Sequence, residues 1–119
     1  MKIPKGCIIG GVHPVKPVEE QADIHLDLWQ VYEVSSKTWG DKKTRHLVGY
    51  NVFDREGRVS TPIKSFNPKT RVALTESGRS YLLSSNSGFD RDADYVWGHF
   101  CLVNKIKDVE IVTSEYEKS

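Results

Sequence analysis

Asp90, Asp92 and Asp94 stand at every second position, the spacing with which a calcium loop begins. Such a loop needs glycine at its sixth position for the sharp turn and glutamate at its twelfth to bind the ion through both oxygens. Those places hold Tyr95 and Cys101. The aspartates instead introduce an apolar series, Ala93, Val96, Trp97, Phe100 and Val103, stepped by three and four residues. That is the period of a helix face, and an aspartate ahead of it accepts the N–H bonds that a helix start leaves open. Capping by Asp90 or Asp92 is the expected role, and no metal is expected.

The other reactive side chains are scattered. Of the four histidines, His13, His25, His46 and His99, no two stand four apart, and none forms a zinc-protease helix motif. His25 and Asp27 share a face if they lie on a strand, as any two polar residues at that spacing would. No serine occupies a Gly-x-Ser-x-Gly elbow, and neither glycine-rich phosphate pattern occurs. Cys7 and Cys101 are too far apart in sequence for a CxxC motif or a zinc site, and read as reduced, buried thiols. No catalytic residue and no cofactor is expected.

Charge gives a positive signal. Residues 35 to 79 hold ten Lys and Arg against four Asp and Glu, whereas both flanks are net acidic and the whole chain is only +1. Within that stretch, Lys37, Trp39, Lys42, Lys43 and Arg45 crowd one polar segment. Cations attract phosphates, and an indole on a loop tip stacks on an unpaired base. Trp29 and Trp97 fall in an apolar strand and on the helix face, so they read as core. Trp39 lies among polar residues and reads as exposed. Arg71 and Arg79 extend the positive surface if the hairpins share a face. Lys and Arg at turns and sheet edges also confer solubility and block edge pairing, which is the competing account.

The elements that must hold these residues are mostly strands. Residues 26 to 34, 45 to 53, 59 to 66, 71 to 75 and 80 to 84 are rich in β-branched and aromatic side chains and are separated by turn-forming runs. The turn at 54 to 58 carries Gly57, expected at positive φ. Pro62 lacks an N–H and marks an edge or a bulge. A helix over 93 to 103 and a strand over 109 to 113 complete the order. The sequence predicts an α+β fold: a curved, small-barrel-like antiparallel meander of five to six strands with one C-terminal helix packed on it. Residues 1 to 22, with Pro14 and Pro17, read as an extended arm, 23 to 114 as one domain, and 115 to 119 as a polar tail. The first residues lack the long apolar run of a secretory signal, and nothing approaches a membrane span, so a cytoplasmic protein with no membrane partner is expected.

Two resemblances bear on function. Val48 to Phe53 (VGYNVF) is similar to the aromatic RNA-binding strand of the RRM family. The leading basic residue, the later aromatic pattern and the strand–helix–strand order are all missing, so that family is set aside. Thr61-Pro62-Ile63, Phe66-Asn67-Pro68, Ser77-Gly78-Arg79-Ser80-Tyr81-Leu82 and Asp92-Ala93-Asp94-Tyr95-Val96-Trp97 resemble a segment of short, uncharacterised bacterial proteins, some of mobile elements. The resemblance covers residues 59 to 100 and implies a bacterial cytoplasmic protein; no activity comes with it.

The sequence thus predicts a small non-enzymatic binding module for an anionic partner, with nucleic acid favoured over an acidic protein surface. Lys37, Trp39, Lys42, Lys43 and Arg45 form the expected contact, extended by Arg71 and Arg79. The alternative is a protein-interaction or inhibitor module. In that class falls a homo-oligomer that docks its basic middle on the acidic ends of another copy.

Overall fold

The apolar residues of the first strand change phase halfway along it. Ile24 and Leu26 are buried at even positions, Trp29 and Val31 at odd ones. The structure is a computed structural model that describes residues 22–40 and 42–117. In it β1 (Ile24–Ser36) pairs antiparallel with β2 (Lys43–Asn51), and the register slips between Asp27 and Gln30. Leu28 and Trp29 together oppose Gly49, and Leu28 adopts φ 48°. This is a β-bulge, one extra residue that rotates the following side chains to the other face. Gly49 is required there: a Cβ on it would stand 2.9 Å from the Cβ of Trp29.

The bulge lets one strand serve two cores. Ile24, Leu26, Trp29 and Val31 join Leu47, Ala73, Tyr81 and Leu83 inside the curl of the sheet. Past the bulge, Val34 and the half-buried Tyr32 face the opposite way, toward Val48, Ala93 and Trp97. The opposite edge of β1 is likewise shared. Its first residues pair in parallel with β6 (Ser80–Leu83), and its last pair antiparallel with β7 (Ile106–Ile111). The remaining strands are β3 (Glu56–Val59), β4 (Ile63–Asn67) and β5 (Val72–Thr75). The order across the sheet is β3-β2-β1-β6-β5-β4, with β7 beside β1.

Several expectations change. Among the described residues the sheet has seven strands and is mixed, because β1 and β6 run parallel. It curls without closing into a barrel. The single strand expected over 59 to 66 is two, parted at residues 60 to 62, where Pro62 has no N–H to donate. The chain passes there from one edge of the sheet to the other. Ser60 makes the corner: its N–H donates to Leu47 O at 2.9 Å, and its Oγ accepts from Leu47 N at 2.9 Å.

The helix, α1 (Arg91–Val103), lies between β6 and β7, so a strand follows it as expected, over 106–111 rather than 109 to 113. Asp90 caps it, accepting from Ala93 N at 2.9 Å. Trp97 is its main anchor, stacked on Phe100 at 5.4 Å and set against Tyr32 at 4.8 Å. The start of α1 rests on β3, and Gly57 serves that approach rather than a turn. A Cβ there would lie 2.4 Å from Ala93 N, while positive φ falls on Arg55 instead. The expected arm at 1 to 22 lies outside the described residues except for Ala22, which is buried. The expected polar tail begins in the core: Tyr116 is only 8 % exposed and packs with Val112 and Phe66.

Gly57→Ala should therefore destabilise by about 1–3 kcal/mol, the usual cost of forcing an extra methyl into a filled contact. Urea unfolding measures it, and an unchanged midpoint would show that α1 does not sit on β3 as described.

Candidate functional site

Ser36 ends β1 and sets the loop that follows. Its Oγ accepts from Thr38 N at 3.1 Å and donates to the Asn104 carbonyl at the end of α1. It thereby starts a 3-10 turn, Lys37–Trp39, and ties that turn to the helix. Gly40, at φ 70°, closes the turn through its N–H to Lys37 O at 3.1 Å. The segment is thus shorter and more ordered than a long polar loop. Trp39 is half-buried, with its ring 5.8 Å from His46 and 6.3 Å from Phe100. The helix supplies the apolar partner that the local sequence does not contain.

Alternation along β2 then turns both of its cations away from Trp39. Thr44 and His46 point toward Trp39 and α1, whereas Lys43 and Arg45 point to the other face. Arg45 is committed there. Its Nε meets Glu33 Oε2 at 3.0 Å and its Nη1 meets Glu115 Oε1 at 2.8 Å. Nη1 also donates to the Tyr116 hydroxyl at 3.3 Å, and the guanidinium lies 5.9 Å from that ring. Hydrogen bonding to Glu115, ahead of Tyr116 and Glu33, holds its pKa above the usual arginine value. Lys43 lines a small recess with Glu33, Asp108 and Glu110, a carboxylate-rich place unsuited to a phosphate. Arg71 donates to the Tyr116 carbonyl and lies 5.1 Å over Phe66. Arg45 and Arg71 thus grip the C-terminal turn from two sides. Lys37, Lys42 and Arg79 are exposed. The seven expected contacts do not form one surface.

One arrangement does form around Trp39. An open cleft of about 450 Å³ is lined by Trp39, Lys42, Thr44, His46, Pro62, Glu76 and Phe100, among others. It lies where the β1–β2 loop, the corner between β3 and β4, and α1 meet. His46 is its fixed floor, 1 % exposed. Its Nδ1 is 2.8 Å from the Ser60 carbonyl, which can only accept, so Nδ1 carries the proton. In the neutral ring Nε2 then accepts from the Thr44 hydroxyl at 2.8 Å. Burial pushes the His46 pKa below the usual histidine value, against the opposing pull of the Ser60 carbonyl and Glu76. Both ring nitrogens are occupied, so His46 shapes the cleft and orients Thr44.

The other reactive candidates have separate structural work. The His25 ring packs on Phe53 at 4.4 Å, and Asp27 accepts from the Ser84 hydroxyl at 2.7 Å. Cys101 is a free thiol whose pKa burial raises. Cys7 and His13 lie outside the described residues. Among the described residues no three His, Cys, Asp or Glu gather as a metal site, and no helix is long and apolar enough to cross a membrane. Sequence reasoning missed Phe100, Pro62 and Glu76 as cleft residues. Each comes from a different part of the chain, so no local spacing marks them; of the expected contacts, Trp39 and Lys42 are the two that line the cleft. Comparison with protein-family models, with curated proteins and with solved structures finds no match.

The buried neutral His46 sets a pH dependence. Its folded pKa is below the unfolded value of about 6.5, so below that pH the unfolded state binds more protons and stability falls. Stability is complete above about pH 6.5 and declines as pH drops through the window beneath it. Melting curves across that window should show the decline in the native chain and a shallower slope in His46→Gln. Equal slopes would mean that His46 is not buried in the neutral form.

Proposed function

We propose that this chain is a small binding module that takes one unpaired base of a single-stranded nucleic acid into the Trp39 cleft. The base lies against Trp39 and Phe100, and Lys42, with Lys37 beside it on the loop, holds the adjoining phosphate. One observation carries this reading: a half-buried indole and a lysine line the same opening. An aromatic face next to a cation matches the two parts of a nucleotide. The volume, about 450 Å³, falls in the range of about 300–1,000 Å³ typical of small-ligand sites. The carboxylate of Glu76, on the same cleft, can accept from base N–H groups and repels bare stacks of phosphate. Arg45 and Arg71 take no part, because their guanidiniums hold the C-terminal turn.

A single strand is favoured over a duplex, whose bases keep their faces stacked. It is also favoured over an acidic protein surface, which has a use for Lys42 but none for the indole.

The test is a titration of labelled single-stranded DNA and RNA, and of the matching duplexes, at two salt concentrations. Single strands should bind more tightly than duplexes, and affinity should fall as salt rises. Trp39→Ala should cost about 1–3 kcal/mol of stacking, or about 5- to 160-fold in affinity. Lys42→Glu should weaken binding several-fold, and Lys43→Glu, on the other face of the strand, distinctly less. Unchanged binding in Trp39→Ala would sink the cleft assignment. Equal losses from the two lysine variants would point to diffuse attraction instead.

A further inference from the structure

The face of α1 turned away from the sheet carries apolar residues that neither core uses. Tyr95 is 79 % exposed and Leu102 is 80 % exposed. Seven residues apart, they lie two turns from each other along one line of the helix. Gly98 and His99 stand between them, and the four border a shallow groove of about 360 Å³. A Cβ on Gly98 would meet nothing within 4 Å. Glycine is thus not needed for packing inside this chain, and in a helix interior it costs about 1 kcal/mol relative to alanine. A gap flanked by an exposed tyrosine and an exposed leucine is the relief that a second helix requires for close approach.

We propose that this face docks a second copy of this chain, the two α1 helices packing antiparallel about a two-fold axis beside Gly98 and His99. Charge selects this occupant. α1 has Asp92 and Asp94 in its first turn and is followed by Lys105. With the axis between residues 98 and 99, Tyr95 of each copy meets Leu102 of the other, and Asp92 comes opposite Lys105. Arg91 sits at the start of its own helix, where the dipole opposes it. In the pair it approaches the end of the other helix, where the dipole favours it. A parallel pair would instead bring like charges together. The face is therefore complementary to itself, as an isologous contact must be. A helix pair in contact along about 20 Å, with each helix about 10 Å wide, covers on the order of 400 Å² over both copies, well under the roughly 1,200–2,000 Å² of a stable interface, so the dimer forms and separates with concentration. It leaves the Trp39 cleft free, and the two readings stand or fall separately.

Sedimentation velocity from low micromolar to near-millimolar protein tests this. The average mass should rise from 13.5 kDa toward twice that value. Leu102→Glu and Tyr95→Glu, both at exposed positions, should stay monomeric with unchanged melting temperatures. Gly98→Leu, whose Cβ meets nothing within 4 Å in the monomer, should shift the dimer midpoint at least ten-fold toward higher concentration. In a chain with Cys7 and Cys101 replaced by serine, Gly98→Cys should cross-link to a dimer on mild oxidation. A monomer at every concentration would overturn the proposal. So would a dimer that survives both Leu102→Glu and Gly98→Leu.

Discussion

The extra residue in β1 is the constraint from which most of this architecture follows. A strand with strict alternation offers one face to each side along its whole length. Here the first half of β1 fills the inside of the curl with even positions and the second half with odd ones, because Leu28 and Trp29 share one partner position. The change of phase frees Tyr32, Val34 and Ser36 to face the helix. Those three then do different work. Val34 and Tyr32 receive Trp97, and Ser36 ties the loop carrying Trp39 to the end of α1. Without the slip, these side chains would face the inside of the curl, and α1 would have no apolar seat.

The same two-residue period decides the fate of the positive charge. Counted along the chain, the basic middle looks like a patch. Placed on β2, Lys43 and Arg45 both point away from Trp39. One side receives Thr44 and His46 and becomes the wall of a cleft. The other receives Lys43 and Arg45 and meets Glu33, Glu115 and Tyr116. Arginine suits the second task because its planar group can satisfy two carboxylates and lie near a ring at once. Charge that looked like a recognition signal is therefore partly a fastening for the end of the chain, and the remaining candidate surface is smaller and more specific.

Most elements were legible because they depend on local pattern. The strands follow from β-branched and aromatic runs, the helix from its three-and-four spacing, and its start from Asp90. Trp29 and Trp97 read correctly as core for the same reason. What escaped depends on partners distant in sequence. The parallel pairing of β1 with β6 has no local mark. Gly57 looks like a turn residue until α1 is laid over it. Trp39 looks exposed among its neighbours, and part of its cover comes from Phe100, sixty-one positions later. The bulge had a trace, since Leu26, Leu28 and Trp29 cannot all lie on one face of a regular strand, but the position of the slip is set by Gly49 across the ladder.

The shared edge of β1 has a consequence for the order in which the fold can be made. The strand synthesised first among the described elements takes β2 on one side at once, through a short hairpin. Its other side waits for β6 and then for β7, which emerges after the helix. Until then the ladder groups along that edge stay unpaired, and Trp29 and Val31 lack the residues that cover them. Val112 and Tyr116 complete that cover from the far end of the chain. Early hairpins can form as the chain emerges, but the curl closes only when its last segment arrives. Non-local pairing of this kind slows folding and leaves an adhesive edge exposed meanwhile. The nascent chain is therefore most vulnerable to misassociation just before Val112 and Tyr116 emerge.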